Sequence, residues 1–376
     1  MDNFASRHVP ELDGLRGIAI LSVLIHHQLT PFFLQAGFLG VDLFFVLSGF
    51  LITGLLLAEF DKTDTISLKK FYMRRLLRLG PALTVYLIAC LVVAHNTKAI
   101  DLTRQLKLVL LALAYATNWR MAFGWDTALD PTAIIWSLSI EEQFYLVWPL
   151  LVLVAMVLRI RRRYIASAIG LGIIAVVLHR YVMLRGGADF TRLYYGTDTR
   201  ADALLIGCLT ALLPVSKLGG KLKSTLNVLG ILSLVGLIYS MMTLEFTDRF
   251  LYQGGFALVA LLCACLVLVS AYDPPRILAI VFGWAPLRWL GRISYGLYLW
   301  HWLVVRNTSF YTLGKWEPWA RLALALTVAS ASYYFLEQPF NKLKRHFAGA
   351  STKPSRELET VETQQAVPAL AVPLTN

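Results

Sequence analysis

The sequence predicts an all-α fold, a polytopic integral membrane bundle of about ten transmembrane helices with both termini cytoplasmic. Three observations carry that prediction. Hydrophobic residues fill 57% of 376 positions and charged residues only 15%, with a mean hydropathy of +0.61, whereas a soluble domain carries roughly 25% charged residues. Apolar runs approaching the ~20 residues that cross a bilayer recur along the chain. Lys and Arg gather between those runs, as they do in cytoplasmic loops of membrane proteins. The alternating pattern of an outer-membrane barrel is absent.

The apolar segments run at about 15–34, 38–58, 79–95, 106–117, 137–158, 164–184, 202–214, 225–243, 250–271, 293–310 and 319–338. The chain up to Arg16 is polar and mixed in charge, and no small-residue cleavage site follows the first apolar run. That run is expected to be a retained signal-anchor. The fourth segment, 106–117, is the shortest, and charge decides its status. If it crosses, the Arg159–Arg163 cluster lands outside. If it is partial or re-entrant, that cluster joins Lys62–Arg78, Lys217–Lys223, Arg276–Arg292 and Lys342–Arg345 inside, which the positive-inside rule favours. Ten spans result, with a long outer loop at about 96–136. Residues 1–346 then form the membrane domain, and the polar segment 347–376 a disordered cytoplasmic tail. No internal repeat and no second soluble domain is expected.

The net charge of +12 and pI near 9.6 belong to this topology and do not indicate a nucleic-acid partner. Cys90, Cys208, Cys263 and Cys265 all fall in apolar runs and give neither a disulfide framework nor a metal-ligand pattern. The scattered histidines lack ligand spacing, so no metal is expected.

Ionisable residues inside the apolar segments are the functional signal, because a charge or imidazole in hydrocarbon is costly and faces a polar cavity. His26 and His27 lie towards the outer end of the first span, about 100° apart around the helix, so at most one enters a given site. Asp42 lies just inside the second span, which returns from the same face. The short connection makes these helices neighbours, placing His27 and Asp42 at similar depth. A carboxylate that orients an imidazole is a general-base arrangement, and the two are expected to interact. Two polar residues facing separate cavities is the alternative.

Further along, Ser48-Gly49 lets a helix or a slim ligand approach the backbone. The basic run 67–80 puts Lys70, Arg74 and Arg78 on one helix face, with Arg75 beside them. Guanidinium groups hold phosphates, although basic residues flanking a span are more often topology determinants. WSLSIEEQFYL (136–146) starts a span with Ser137 as an N-cap and Glu141 and Glu142 near the dipole-positive end. Two carboxylates followed by Gln143 indicate a polar cavity there. DTRADALLIG (198–207) places Asp198, Arg200 and Asp202 at an outer helix end, as a local ion cluster or as acceptor contacts. In LGRISYGLYLWH (290–301), His301 lies between Trp300 and Trp302.

Taken together these segments resemble the membrane-bound acyltransferase 3 family, which includes bacterial O-antigen and exopolysaccharide O-acetyltransferases. The matching pieces are LDGLRG (12–17) with His27 eleven residues after Arg16, GVDLFFVLSGFLI (40–52), and FYMRRLLRLGPA (71–82) with Arg74 and Arg78 as Arg-x-x-x-Arg. WSLSIEEQFYL, DTRADALLIG and ISYGLYLWH follow in the family's order. The resemblance spans about 12 to 340. It departs just before the Trp-Ser-Leu motif, where many members carry a His and this chain has Ala133-Ile134-Ile135. Members fused to an extracellular SGNH domain form another branch, and this chain is expected to lack that domain.

The resemblance implies transfer of an acyl group, usually acetyl, from a cytoplasmic acyl-CoA to a hydroxyl of a cell-surface or lipid-linked carbohydrate, at the inner membrane of a bacterium. It selects His27 over His26 as the family histidine. Arg74 and Arg78, with Arg75, become contacts to the donor's phosphates, and Ser48 and Gly49 line the path of its pantetheine arm. Glu141 and Gln143 match the glutamate motif and Arg200 the arginine before a later span. His27 with Asp42 and Glu141 is the expected catalytic set. Gln143, Arg200, Asp198 and His301 are the expected acceptor contacts. Direct transfer and an acyl-histidine intermediate are both compatible with these residues. Acylation of a small hydrophobic metabolite such as a macrolide, or a transporter without covalent chemistry, are the competing readings.

Overall fold

In the computed structural model, residues 8–29, 34–97, 101–124, 130–214, 219–272, 274–306 and 313–343 are described; the expected tail at 347–376 lies outside them. No strand occurs among the described residues. The helices are α1 (Pro10–Leu29), α2 (Gly40–Thr63), α3 (Leu68–Thr97), α4 (Leu102–Leu113), α5 (Thr117–Ala122), α6 (Trp136–Val157), α7 (Arg162–Arg185) and α8 (Phe190–Tyr195). They continue as α9 (Thr197–Ala211), α10 (Gly220–Thr243), α11 (Phe256–Tyr272), α12 (Arg276–Gly283), α13 (Ala285–Val305), α14 (Glu317–Ala331) and α15 (Gln338–Leu343).

Six segments are long and apolar enough to cross a bilayer: Gly37–Thr63, Leu68–Asn96, Ala133–Val157, Arg162–Arg185, Gly220–Thr243 and Leu251–Tyr272. Several of these helices turn bare apolar side chains outwards. Leu171, Leu178 and Val182 on α7 are 67%, 56% and 65% exposed, a surface that lipid covers and water does not. The chain is a multi-pass membrane protein. The other four expected spans fall on α1, α9, α13 and α14, which are shorter or more polar. Three of these, α1, α9 and α13, bear the residues that gather in the core.

The segment expected as a long outer loop is partly helical. Asp101 caps α4 by accepting the Arg104 N–H at 3.2 Å. Gln105, Leu108, Val109 and Ala112 are its buried residues, one face at the spacing of an amphipathic helix. With 12 residues, α4 is ~18 Å long and cannot span ~30 Å of hydrocarbon. The chain turns at Tyr115, whose φ is 50°, and α5 follows. The span expected at 250–271 opens with a π-helical turn, Leu251–Gly255, containing Gly254 at φ 137°.

Two parallel helix pairs form the frame. Gly14 and Gly17 of α1 face the carbonyls of Phe282 and Leu287, and Gly291 of α13 faces the carbonyl of Asp13. Gly49 of α2 faces the carbonyl of Leu204, and Gly207 of α9 that of Val46. A Cβ at any of these positions would strike backbone, so the glycines permit the close approach. In both pairs the early residues of one helix meet the early residues of the other. The packing thereby fixes which side chains meet at each level.

Candidate active site

At the end of the bundle where α1 and α13 finish, His27 Nδ1 lies 3.0 Å from His301 Nε2. The rings meet edge to edge, with an interplanar angle of 20° and centroids 5.2 Å apart. His301 is fully buried, and its Nδ1 lies 2.9 Å from the Leu297 carbonyl oxygen one turn back. Trp302 packs edge-on against His27 at 5.1 Å, and its indole N–H donates to the Asp130 carbonyl at 3.2 Å. Asp130 pairs with the buried Arg120 and accepts from the Thr132 N–H and hydroxyl, each at 2.7 Å. The segment between α5 and α6 therefore anchors the tryptophan beside His27.

His27 opens onto a cavity of about 100 Å³ whose walls include His26, Trp136, Tyr194, Tyr195 and Tyr298. His26 stands 5.3 Å from His27, ring to ring, with its Nδ1 buried and unpartnered. Both imidazoles thus face one cavity, although they diverge around the helix. His301 is absent from that wall; it touches His27 from behind.

A line of polar side chains leads away from this cavity. Tyr298, one turn before His301, shares a 2.6 Å hydrogen bond with Ser137. Ser137, Glu141 and Tyr145 lie four residues apart on α6 and form one stripe, extending ~12 Å along the axis. Ser48 donates to Glu141 Oε1 at 3.0 Å, and Tyr145 to Glu141 Oε2 at 3.4 Å. The Arg75 guanidinium sits 3.4 Å over the Tyr145 ring and donates to Glu142 at 2.8 Å. Arg78 lies within electrostatic reach of Arg75 and Arg16. Arg16 reaches Ser294 at 3.3 Å, and the Nε atoms of both Arg16 and Arg75 are buried without a hydrogen-bond partner.

Several expected site residues stand elsewhere. Asp42 does not meet His27: its Oδ1 accepts from Arg200 at 2.9 Å, and its Oδ2 has no partner. The α2–α9 pairing puts Asp42 opposite Arg200, whose guanidinium also lies 3.7 Å over Phe256. Gly40 packs against Ala19 and Ser22 of α1, so Asp42 lies at a level nearer the start of α1 than His27, and the expected equal depth does not hold. Arg180 and Asp202 form a second buried pair at 2.8 Å. Asp198 is held by Arg192 at 2.6 and 2.9 Å and by His179 at 3.0 Å, the local ion cluster.

Gln143 donates to the Tyr115 carbonyl at 2.7 Å and Asn118 at 2.9 Å, and accepts from Thr197 at 2.6 Å. Its amide is thereby occupied in tying α5 and α9 to α6. Gly49 packs against α9, so it lines no open path. Arg74 pairs with Glu59 at 3.3 Å. Ser137 is no N-cap, because α6 starts one residue earlier. Tyr298, Tyr145 and Arg16 went unassigned in the sequence reading. The three-residue spacing of Tyr298 and His301 on one helix face was the available sign of the first.

The model of a family described as an acyltransferase domain matches residues 9–337. A candidate peptidoglycan O-acetyltransferase of Bacillus subtilis is 35% identical over 351 residues, covering 89% of this chain and 55% of its own length. The peptidoglycan O-acetyltransferase OatA of Listeria monocytogenes is 34% identical over 355 residues, covering 90% and 57%. A candidate O-acetyltransferase of Staphylococcus aureus is 37% identical over 357 residues, covering 89% and 58%. The chain spans a little over half the length of these relatives. No solved structure matches it. The chain belongs to this acyltransferase family.

Proposed function

We propose that this member of the acyltransferase family moves an acetyl group from cytoplasmic acetyl-CoA, or another acyl-CoA, to a hydroxyl of a cell-surface or lipid-linked carbohydrate. The names of its relatives make a peptidoglycan-type glycan the first acceptor to test. In this reading it lies in the inner membrane of a bacterium with ten spans and both termini inside. The observation that carries the proposal is the polar line through an otherwise apolar bundle, guanidinium at one end and imidazole at the other.

The guanidinium end fits an anion. Arg16 and Arg78 form no ion pair among the described residues, and Arg16 and Arg75 each keep an unpartnered buried Nε. Arg75 and Arg78, with Arg16, would hold the donor's phosphates. Ser48 and Glu141 would face the arm that carries the thioester.

At the other end, His27 removes the proton from an acceptor hydroxyl in the aromatic-walled cavity. The oxygen attacks the thioester carbonyl, the C–S bond breaks, and His27 returns the proton to the departing thiolate. General-base help of this kind is worth roughly 10²–10⁴-fold. The test is purified protein with labelled acetyl-CoA, with and without a peptidoglycan fragment. Acceptor-dependent release of CoA and labelled glycan is expected, and loss of both in a folded His27→Ala variant. Wild-type turnover in that variant would remove His27 from the mechanism.

A further inference from the structure

We infer that His301 is a positioning residue that sets the tautomer of His27 and so decides which nitrogen of that ring faces the acceptor. The inference rests on His27 being the base proposed above. The Leu297 carbonyl oxygen can only accept a hydrogen bond, so the 2.9 Å contact requires a proton on His301 Nδ1. A neutral imidazole carries one N–H, which leaves a lone pair on His301 Nε2. The 3.0 Å contact with His27 then needs its proton on His27 Nδ1. His27 Nε2 is left as the lone-pair nitrogen, the one free to take a proton from a hydroxyl.

Three features make this assignment stable. His301 and Leu297 are four residues apart on α13, so the first bond in the chain is built into one helix. His301 is fully buried, leaving no water to compete for its nitrogens. The two rings lie edge to edge and within 20° of parallel, which puts the N–H and the lone pair in line. His301 does not line the cavity that His27 opens onto, so its contribution passes through His27. When His27 becomes an imidazolium, its Nδ1–H still donates to His301, and only the Nε2 proton moves on to the thiolate.

Three substitutions in the full chain separate this role from packing. His301→Leu removes the acceptor. His301→Gln keeps one in its side-chain carbonyl. His301→Lys offers only donors and forces His27 into the opposite tautomer. His301→Leu and His301→Lys should lower kcat by roughly 10²-fold or more, with KM for both substrates within about threefold, while His301→Gln restores at least a tenfold part of the loss. Equal activity of the Gln and Leu variants would overturn the inference. So would wild-type kcat in His301→Leu beside an inactive His27→Ala; that result leaves the acyltransferase reading standing. An active His27→Ala would instead sink the base assignment itself. Nitrogen-15 NMR of histidine-labelled wild-type protein reads the tautomer directly. Protonated Nδ1 and unprotonated Nε2 on His27 are expected, and the reverse pattern, or a doubly protonated His301, refutes the inference whether or not the variants fold.

Discussion

Replacing Asp42 by Ala separates two roles for this carboxylate. If Asp42 oriented His27, the variant would fold normally and lose turnover. The structure gives it a different partner: Asp42 and Arg200 are each 0% exposed and meet at 2.9 Å. Removing one member of a buried ion pair leaves the other charge uncompensated, at a cost of about 3–5 kcal/mol. Asp202 also acts electrostatically on Arg200, so the loss should lie near the lower bound, about 3 kcal/mol. Replacing both partners by apolar residues removes the orphaned charge, and such replacements are often neutral or stabilising. Asp42→Leu combined with Arg200→Leu should therefore be more stable than Asp42→Ala alone. The assay is equilibrium unfolding in detergent, followed by tryptophan fluorescence, for wild type, each single variant and the double variant. An Asp42→Ala protein as stable as wild type, with kcat reduced 10²-fold or more, would return Asp42 to His27 and refute the assignment to Arg200.

Three further outcomes follow from the same geometry. Gly207→Ala should destabilise the fold by about 1–3 kcal/mol or more, since its Cβ would meet the Val46 carbonyl; unchanged unfolding would show that α2 and α9 can separate freely. Arg75→Ala removes a charge-assisted bond to Glu142 and one of the proposed phosphate contacts, so KM for acetyl-CoA should rise roughly 10–100-fold with KM for the glycan nearly unchanged, as read from initial rates. Gln143→Ala strips partners from Thr197 and Asn118 and should cost about 1–3 kcal/mol without a selective effect on acceptor KM. A selective rise in that KM would make Gln143 an acceptor contact after all.

How much of this was legible follows from what each feature depends on. The helical membrane class rests on composition and run length, which are local, and both survive in the fold. The meeting of His27 with His301 depends on α1 and α13 running parallel, 274 residues apart in sequence. The glycines that permit it read singly as ordinary small residues. Depth, obtained from helix rise, suggests that His27 and Asp42 form a pair, but Gly37 packs beside Ser22 and His26 and Gly40 beside Ala19 and Ser22, so Asp42 sits further towards the start of α1 than His27. Rotation about the helix axis adds to that offset by turning Asp42 towards Arg200, and no single sequence encodes rotation for a helix apolar on nearly every face, as α2 is. The 106–117 segment, excluded from the spans on charge, is indeed too short to cross, but its apolar positions are one side of an amphipathic helix, α4, inside what the sequence presents as a loop.

The charges inside this bundle differ in whether they have a direct counter-ion. Arg180 and Arg200 each sit against an aspartate at 2.8 or 2.9 Å, and Arg200 is also stacked on an aromatic ring. In a low-dielectric interior that arrangement offsets the cost of burial within the protein itself. Along α1, α3 and α6, Arg75 is held in the same way, by Glu142 at 2.8 Å and the Tyr145 ring, whereas Arg16 and Arg78 form no ion pair among the described residues. Glu141 is bonded to hydroxyls and not to a guanidinium, and among the described residues Arg16 hydrogen-bonds to Ser294. Arg16 and Arg78 interact with the carboxylates of Glu141 and Glu337 only at longer range, and in the proposed function the donor's polyanion would give them a direct partner. The same polyanion would stand at the start of a polar line ending at the nitrogen of His27. In the proposed function, the donor would therefore enter beside the two arginines that lack an ion pair, Arg16 and Arg78.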